Sequence, residues 1–290
     1  MKKTPFLLKM FLWIVGILLT IALALSIACI YINKKYDINL FETYAQVKLM
    51  AKPVDEDAKF TSKFSADDMG EAKVNVNAKI ENLIVYTEED GYKINNEGLT
   101  SNISAELLLP DKQLAAIADT IIKENGGIHL NINGEDVNVE LVQIKFDNID
   151  NETGDVEVNI VVKADFSFLQ EKMNNFPFSM FKKYVPKTLY ISSTIKITKN
   201  DGAFNYTVSS KSMTINNLDQ AQTANIVKVL NMVAKTGSVE DLNLMVGQQF
   251  ADLLIGNESV DGFAYSLKNL GVNDYTFKQV DGINYFVIKP

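Results

Sequence analysis

Apolar and polar positions alternate along much of this chain, most clearly from Val156 to Phe168. Val156, Val158, Ile160, Val162, Ala164, Phe166 and Phe168 are apolar, and only Val161 breaks the polar set between them. A period of two marks a strand with one buried face, and about 13 residues is long against the usual 5–6. Leu189, Ile191, Ile195 and Ile197 repeat the pattern, and Phe204, Tyr206 and Val208 continue it after Asn200-Asp201-Gly202. The phase slips twice. Val137, Val139 and Leu141 are odd where Val142, Ile144 and Phe146 are even, and the even run Phe204–Val208 gives way to odd Met213 and Ile215. A one-residue slip is what a β-bulge produces, and bulges bend strands. The pattern predicts a long, curved, bulged antiparallel sheet whose concave face needs an apolar filler.

Shorter runs extend the picture. Val74, Val76, Ala78 and Ile80 alternate and predict another strand. Ile84–Tyr86 and Tyr92–Ile94 flank Glu88-Glu89-Asp90-Gly91 as a hairpin. Ile103–Leu109 reads as a strand running into Pro110-Asp111. Asn133-Gly134 is a two-residue turn signal between Ile128–Ile132 and Val137–Phe146, and Asp281-Gly282 turns a last hairpin, Tyr275–Val280 with Ile283–Ile288. Helical spacing appears in Asp37–Met50, from Leu114 to Ile122 before Gly126-Gly127, from Leu218 to Lys235, and from a Ser238 cap to Gly256. The last two helices are the candidate fillers. The class predicted is α+β: an N-terminal transmembrane helix, then the curved sheet packed on helices.

The membrane element is Met10–Ile32, which carries no charge and lies between Lys2-Lys3 and Lys34-Lys35. Roughly 20 apolar residues cross a hydrocarbon core. Trp13 and Tyr31 sit where amphipathic rings prefer the headgroup level, and the lysines ahead of the span place the N-terminus in the cytoplasm. Two other readings compete: a cleaved secretory signal, and a lipoprotein signal at Leu25-Ser26-Ile27-Ala28-Cys29 with Cys29 lipidated. All three put the bulk of the chain outside the cytoplasm. The expected organisation is a cytoplasmic tip and anchor over 1–35, a juxtamembrane helix and solvated linker over 36–59, and an extracytoplasmic domain over 60–290.

Composition narrows the function. All 36 acidic residues follow Tyr36, as do 23 of the 28 basic ones, leaving a formal charge of −13 beyond it. That field repels nucleic acid and other polyanions. Every basic residue is Lys, so the planar bidentate grip on phosphate that Arg provides is missing. Cys29 is the sole cysteine, so the domain holds together without disulfides.

Catalytic chemistry is thinly represented. His129 is the only histidine and lies in a predicted strand, with no cysteine or GxSxG serine to act on. One histidine without domain cysteines does not make a zinc site. Asp147, Asp150, Glu152 and Asp155 surround Gly154 without EF-hand spacing and read as a solvated turn rather than a Ca²⁺ loop. Asp67-Asp68 and Glu240-Asp241 suit first turns of helices. No catalytic residue, metal or cofactor is expected. Paired carboxylates remain the one route to an enzyme, as in glycoside hydrolysis.

The segment after the long strand is different. It gathers Phe166, Phe168, Met173, Phe176, Phe178 and Phe181 around Pro177. Such side chains offer adaptable apolar surface, either as the wall of a pocket for an acyl chain or as plain core. These six are the candidate ligand-binding residues.

A Lys-bearing N-terminus, one span, a helix opening as Leu109-Pro110-Asp111-Lys112-Gln113-Leu114, two long strands, and Phe176-Pro177 through Tyr184-Val185-Pro186 to Leu189-Tyr190-Ile191 together resemble the YpmS-like membrane-anchored proteins of low-GC Gram-positive bacteria. The resemblance covers roughly residues 100–215 and brings no site motif. Long curved strands around a helix also look like tubular lipid-binding (TULIP-type) modules. A long curved sheet with a Phe/Met-rich cover, fixed beside a bilayer, points to an envelope protein that binds lipid or another apolar ligand. The alternative is an envelope interaction module, such as a sporulation or division accessory, with a protein partner and no ligand.

Overall fold

The structure, a computed structural model, describes residues 33–35, 39–95, 99, 102–132, 135–165, 171, 174, 179, 182–184, 186, 188–234 and 237–290. In chain order the helices are α1 (Leu40–Met50), α2 (Glu56–Lys59), α3 (Ala66–Asn77), α4 (Asp111–Glu124), α5 (Gln220–Ala234), α6 (Val239–Leu254) and α7 (Phe263–Ser266). The strands are β1 (Ile84–Thr87), β2 (Gly91–Ile94), β3 (Leu107–Pro110), β4 (Ile128–Ile132), β5 (Glu135–Asp147), β6 (Val156–Asp165), β7 (Thr188–Lys199), β8 (Tyr206–Ile215), β9 (Asp274–Val280) and β10 (Ile283–Lys289).

Five strands form an antiparallel meander, β4-β5-β6-β7-β8, that curves around helices. Val156, Val158, Ile160, Val162 and Ala164 all enter the core, as do Leu189, Ile191, Ile195 and Ile197 across the register. Both phase slips are bulges. Val142 is the extra residue where β5 leaves register with β6, and Lys211 is the extra residue of β8 opposite the Thr194–Ile195 step of β7. Strand β6 is described from Val156 to Asp165, and Phe166–Phe168, the expected end of the strand, lie outside the described residues.

The core-side face is filled by α4 over β5 and by α6 over β7 and β8. Of the two helices expected to fill it, only α6 does. The other, α5, packs at the end of β8 and against α1. Helix α4 takes its place with Leu114, Ala115, Ala116, Ile117, Ala118 and Ile122 buried, the three alanines keeping it slim enough to pack between the sheet and its neighbours. The Ser238–Asp241 capping box starts α6, with Ser238 Oγ accepting from Asp241 N and Asp241 accepting from Ser238 N.

Two expectations fail for identifiable reasons. Residues 74–80 do not form a strand. The capping box of Ser65 and Asp68 starts α3, and Met69, Ala72 and Val76 form its buried face while Val74 is exposed. Val76 satisfies both periodicities, and the cap decides between them. The strand expected from Ile103 begins only at Leu107, because Ile103 is held instead by the Leu270 carbonyl at 2.8 Å.

A second sheet, β3-β10-β9, closes one end of the first. The ring of Phe146 on β5 lies 5.3 Å from that of Phe277 on β9, and Asn284 on β10 donates to the Phe146 carbonyl at 2.6 Å. Asp281 and Gly282 both have positive φ, as a type I′ turn requires. The acidic turn belongs to this junction. Asn151 bonds both backbone groups of Gln279, Asp150 accepts from Glu152 N and Thr153 N, and Asp155 pairs with Lys196 at 2.7 Å. Among the described residues no group of acidic, His or Cys side chains is arranged to hold a metal ion.

Residues 40–59 are part of the packed structure. Val47 and Met50 of α1 are buried in the core, and Asn216 donates to the Met50 carbonyl at 2.8 Å. The stretch expected to be a solvated linker contains α2 and crosses the outer face of the sheet. There Tyr190 donates to Glu56, Ser62 N donates to Gln143 Oε1 at 2.8 Å, and the Phe60 ring lies 5.7 Å from Tyr190. This cover accounts for Val161, the one apolar residue on the polar side of β6, which is fully buried.

Candidate functional site

Between α4, which lies over β5, and α6, which lies over β7 and β8, the helices do not close on each other. The opening is an apolar cleft of about 260 Å³. Val139 and Leu141 of β5 and Ile160 and Val162 of β6 form its floor. Ile122 of α4 stands on one side, and Val246, Phe250 and Leu253 of α6 stand on the other. Asn125, Gly127 and Gln249 complete the lining. The bulge at Val142 sits beside this floor and bends β5 there, which lets a flat pair of strands become one wall of a concavity.

Among the described residues, the lining contains no titratable side chain. It offers neither a proton donor nor a nucleophile, and its chemistry is removal of apolar surface from water. Each methylene placed there gains about 0.8 kcal/mol. The volume falls just under the roughly 300–1,000 Å³ of ordinary small-molecule pockets, which suits one chain end rather than a whole lipid. The two amides give a polar contact at the rim.

The cleft lies in the half of the sheet where Asp165 of β6 pairs with Thr188 of β7. The six candidate residues Phe166, Phe168, Met173, Phe176, Phe178 and Phe181 fall in the connection between them and lie outside the described residues. So do Asn133-Gly134, the side chain of His129, and Met10–Ile32 with Trp13, Cys29 and Tyr31. Among the described residues no helix is long and apolar enough to cross a membrane.

Sequence reading treated the residues that line the cleft as ordinary core. Val139, Leu141, Ile160 and Val162 alternate as any half-buried strand does, and nothing local marks a core position whose partner is missing.

Polar clefts lie elsewhere among the described residues, two of them with aromatic rings in the lining. One, between α3, β2 and α4, holds Asp90, Asp119 and Glu124. Each is engaged: Asp90 with Lys93 at 2.9 Å, Asp119 with Lys123 at 2.7 Å, and Glu124 with the Ile94 amide at 2.9 Å. The other lies beside Phe204, Tyr206, Tyr265, Asn257, Glu258 and Lys268. Comparison with family models, curated proteins and solved structures returns no match.

Proposed function

We propose that this protein is an extracytoplasmic module of a cell envelope, held to the membrane by a single span at Met10–Ile32, and that its cleft between α4 and α6 takes the apolar end of a lipid. One observation carries the ligand reading: eight apolar side chains line an open cleft between the two helices that fill the sheet. The anchor reading is supported by the uncharged run between lysine pairs. The YpmS-like and TULIP-type resemblances point the same way.

The test uses the full-length chain in lipid nanodiscs with a photoactivatable fatty acid. Adducts are mapped by mass spectrometry. Labelling of peptides carrying Ile122–Gly127 and Val246–Leu253, reduced in Leu253→Trp, is the expected result. Labelling restricted to the Met10–Ile32 peptide would sink the ligand reading.

A protein-interaction role is the second reading. It is favoured by Tyr86 and Tyr92, whose rings lie 4.8 Å apart on the β1–β2 hairpin with Tyr86 exposed. Tyrosine is enriched at the centres of protein interfaces. One dominant protein partner crosslinked through this hairpin, with an unlabelled cleft, would select that reading.

A further inference from the structure

Helix α1 buries Thr43, Gln46, Val47 and Met50 and turns a second face outward. Phe41 is 78% exposed on that face, the largest exposure of any large apolar residue described. Tyr44 lies one turn on, and Lys48 follows with its Nζ 5.1 Å from the Tyr44 ring. Across a small gap, Tyr184 presents its ring 5.4 Å from Tyr44, with the two hydroxyls 3.1 Å apart. The single carboxylate of α1, Glu42, belongs to the other flank, where it accepts from Gln46 and Asn225. Aromatic rings backed by an ammonium group, with the acid turned away, form the combination that lipid headgroups select.

Chain geometry says which surface is within reach. Eight Cα steps separate Ile32 from Leu40, a span of at most about 28 Å when fully extended. Helix α1 is also fixed to the domain, through the Asn216 bond to the Met50 carbonyl and through its buried residues. A span ending at Ile32 therefore delivers a defined face of the whole domain to the membrane.

We infer that the Phe41–Tyr44–Lys48 face of α1, together with Tyr184, docks on the outer surface of the bilayer that holds the anchor, with the Phe41 ring in the headgroup layer. The inference rests on the anchor reading and adds a second attachment to it, made by aromatic rings despite the acidic charge of the domain. Docking there holds the end of the sheet that carries Asp165, Thr188 and Ile215 toward the lipid.

The experiment uses the full-length chain with Trp13→Phe and Phe41→Trp, reconstituted at low density in lipid vesicles that contain no other protein, so that the new indole is the only one. Val74→Trp in the same background is the water-exposed control. The expected result is blue-shifted emission for Phe41→Trp, quenched at least about twofold more by lipids spin-labelled near the headgroup than by aqueous iodide. Emission and iodide quenching equal to those of Val74→Trp would overturn the docking and leave the anchor standing. An indole shielded from iodide and from lipid quenchers alike would overturn it in favour of a protein cover. Release of the chain from membranes by alkaline carbonate would overturn the anchor reading and the docking with it.

Discussion

The side-chain amide of Asn243 on α6 donates to the Thr194 carbonyl of β7 at 3.0 Å, at the step where β7 and β8 fall out of register. A bulge interrupts the ladder, and buried carbonyls left there need another donor. Asn243 meets that need from the helix. It also bonds Ser193 through Oδ1 and Ser210 Oγ at 2.7 Å through Nδ2. Both Asn243 and Ser193 are fully buried. One side chain thus ties the filler helix to both strands at the bend.

Asn243→Ala should leave several buried polar groups without partners and cost about 3 kcal/mol. Asn243→Leu fills more of the space but satisfies none of them, so it should be no better. Thermal unfolding followed by circular dichroism checks both. A shift no larger than that of an exposed control such as Ala221→Ser would refute the role given to Asn243.

One turn later, Gly247 lets α6 touch the sheet. A Cβ there would stand 2.5 Å from Ile195 Cγ2 and 3.1 Å from Val208 Cγ1. Gly247→Ala should destabilise by about 1–3 kcal/mol through overpacking, despite the better helix propensity of alanine. Ile195→Ala removes the obstructing methyls. In a double-mutant cycle the pair should cost less than the sum of the singles by at least about 1 kcal/mol. Simple additivity would show that the helix relaxes away instead.

Asn216 performs a similar task for the N-terminal segment. It adopts φ +47 and is buried. It accepts from Tyr190 N at 2.7 Å and donates to the Met50 carbonyl at 2.8 Å. Asn216→Ala combines backbone strain with two lost bonds and should cost about 2–4 kcal/mol. Asn216→Gly relieves the strain and should recover about 1 kcal/mol. Limited proteolysis should cut faster between Ala51 and Asp55 in both variants. An unchanged cleavage rate would mean that the core contacts of Val47 and Met50 alone hold α1.

Among the described tyrosines, Tyr190, Tyr206 and Tyr275 have phenols that ionise late. Burial, reinforced by Glu56, pushes Tyr190 up to about 12. Burial raises Tyr206, with Asp252 adding to it, and raises Tyr275, with Asp274 nearby. Unfolded phenols ionise near pH 10. Above that pH the unfolded chain releases protons that the folded chain keeps. This part of the stability is therefore intact below about pH 10 and is lost as pH climbs through the folded pKa values. Phenolate absorbance of the native chain should show a late-titrating fraction that joins the rest on unfolding. Tyr206→Phe should flatten the loss of denaturation midpoint between about pH 9 and pH 11. An unchanged slope would assign the loss to other groups.

The alternating strands, both bulges, the Ser238 cap of α6 and the closing hairpin are legible in the sequence, because each is written in neighbouring residues. Period-two alternation, a one-residue slip, Ser-x-x-Asp and Asp-Gly are local signals with local causes. The stretch at Val74–Ile80 misled because Val76 fits a strand and a helix alike, and the Ser65 cap lay outside the window that suggested alternation.

What the sequence determined by itself is therefore the α+β class, the bend of the sheet and the uncharged run at Met10–Ile32. Only the tertiary structure decided that α4 rather than α5 fills the sheet beside α6, that the stretch through Pro53 binds across the outer face, and that a cleft opens over Leu141 and Val162. These depend on which surfaces meet. A residue's own pattern records that it wants burial, but not whether a partner arrives to cover it.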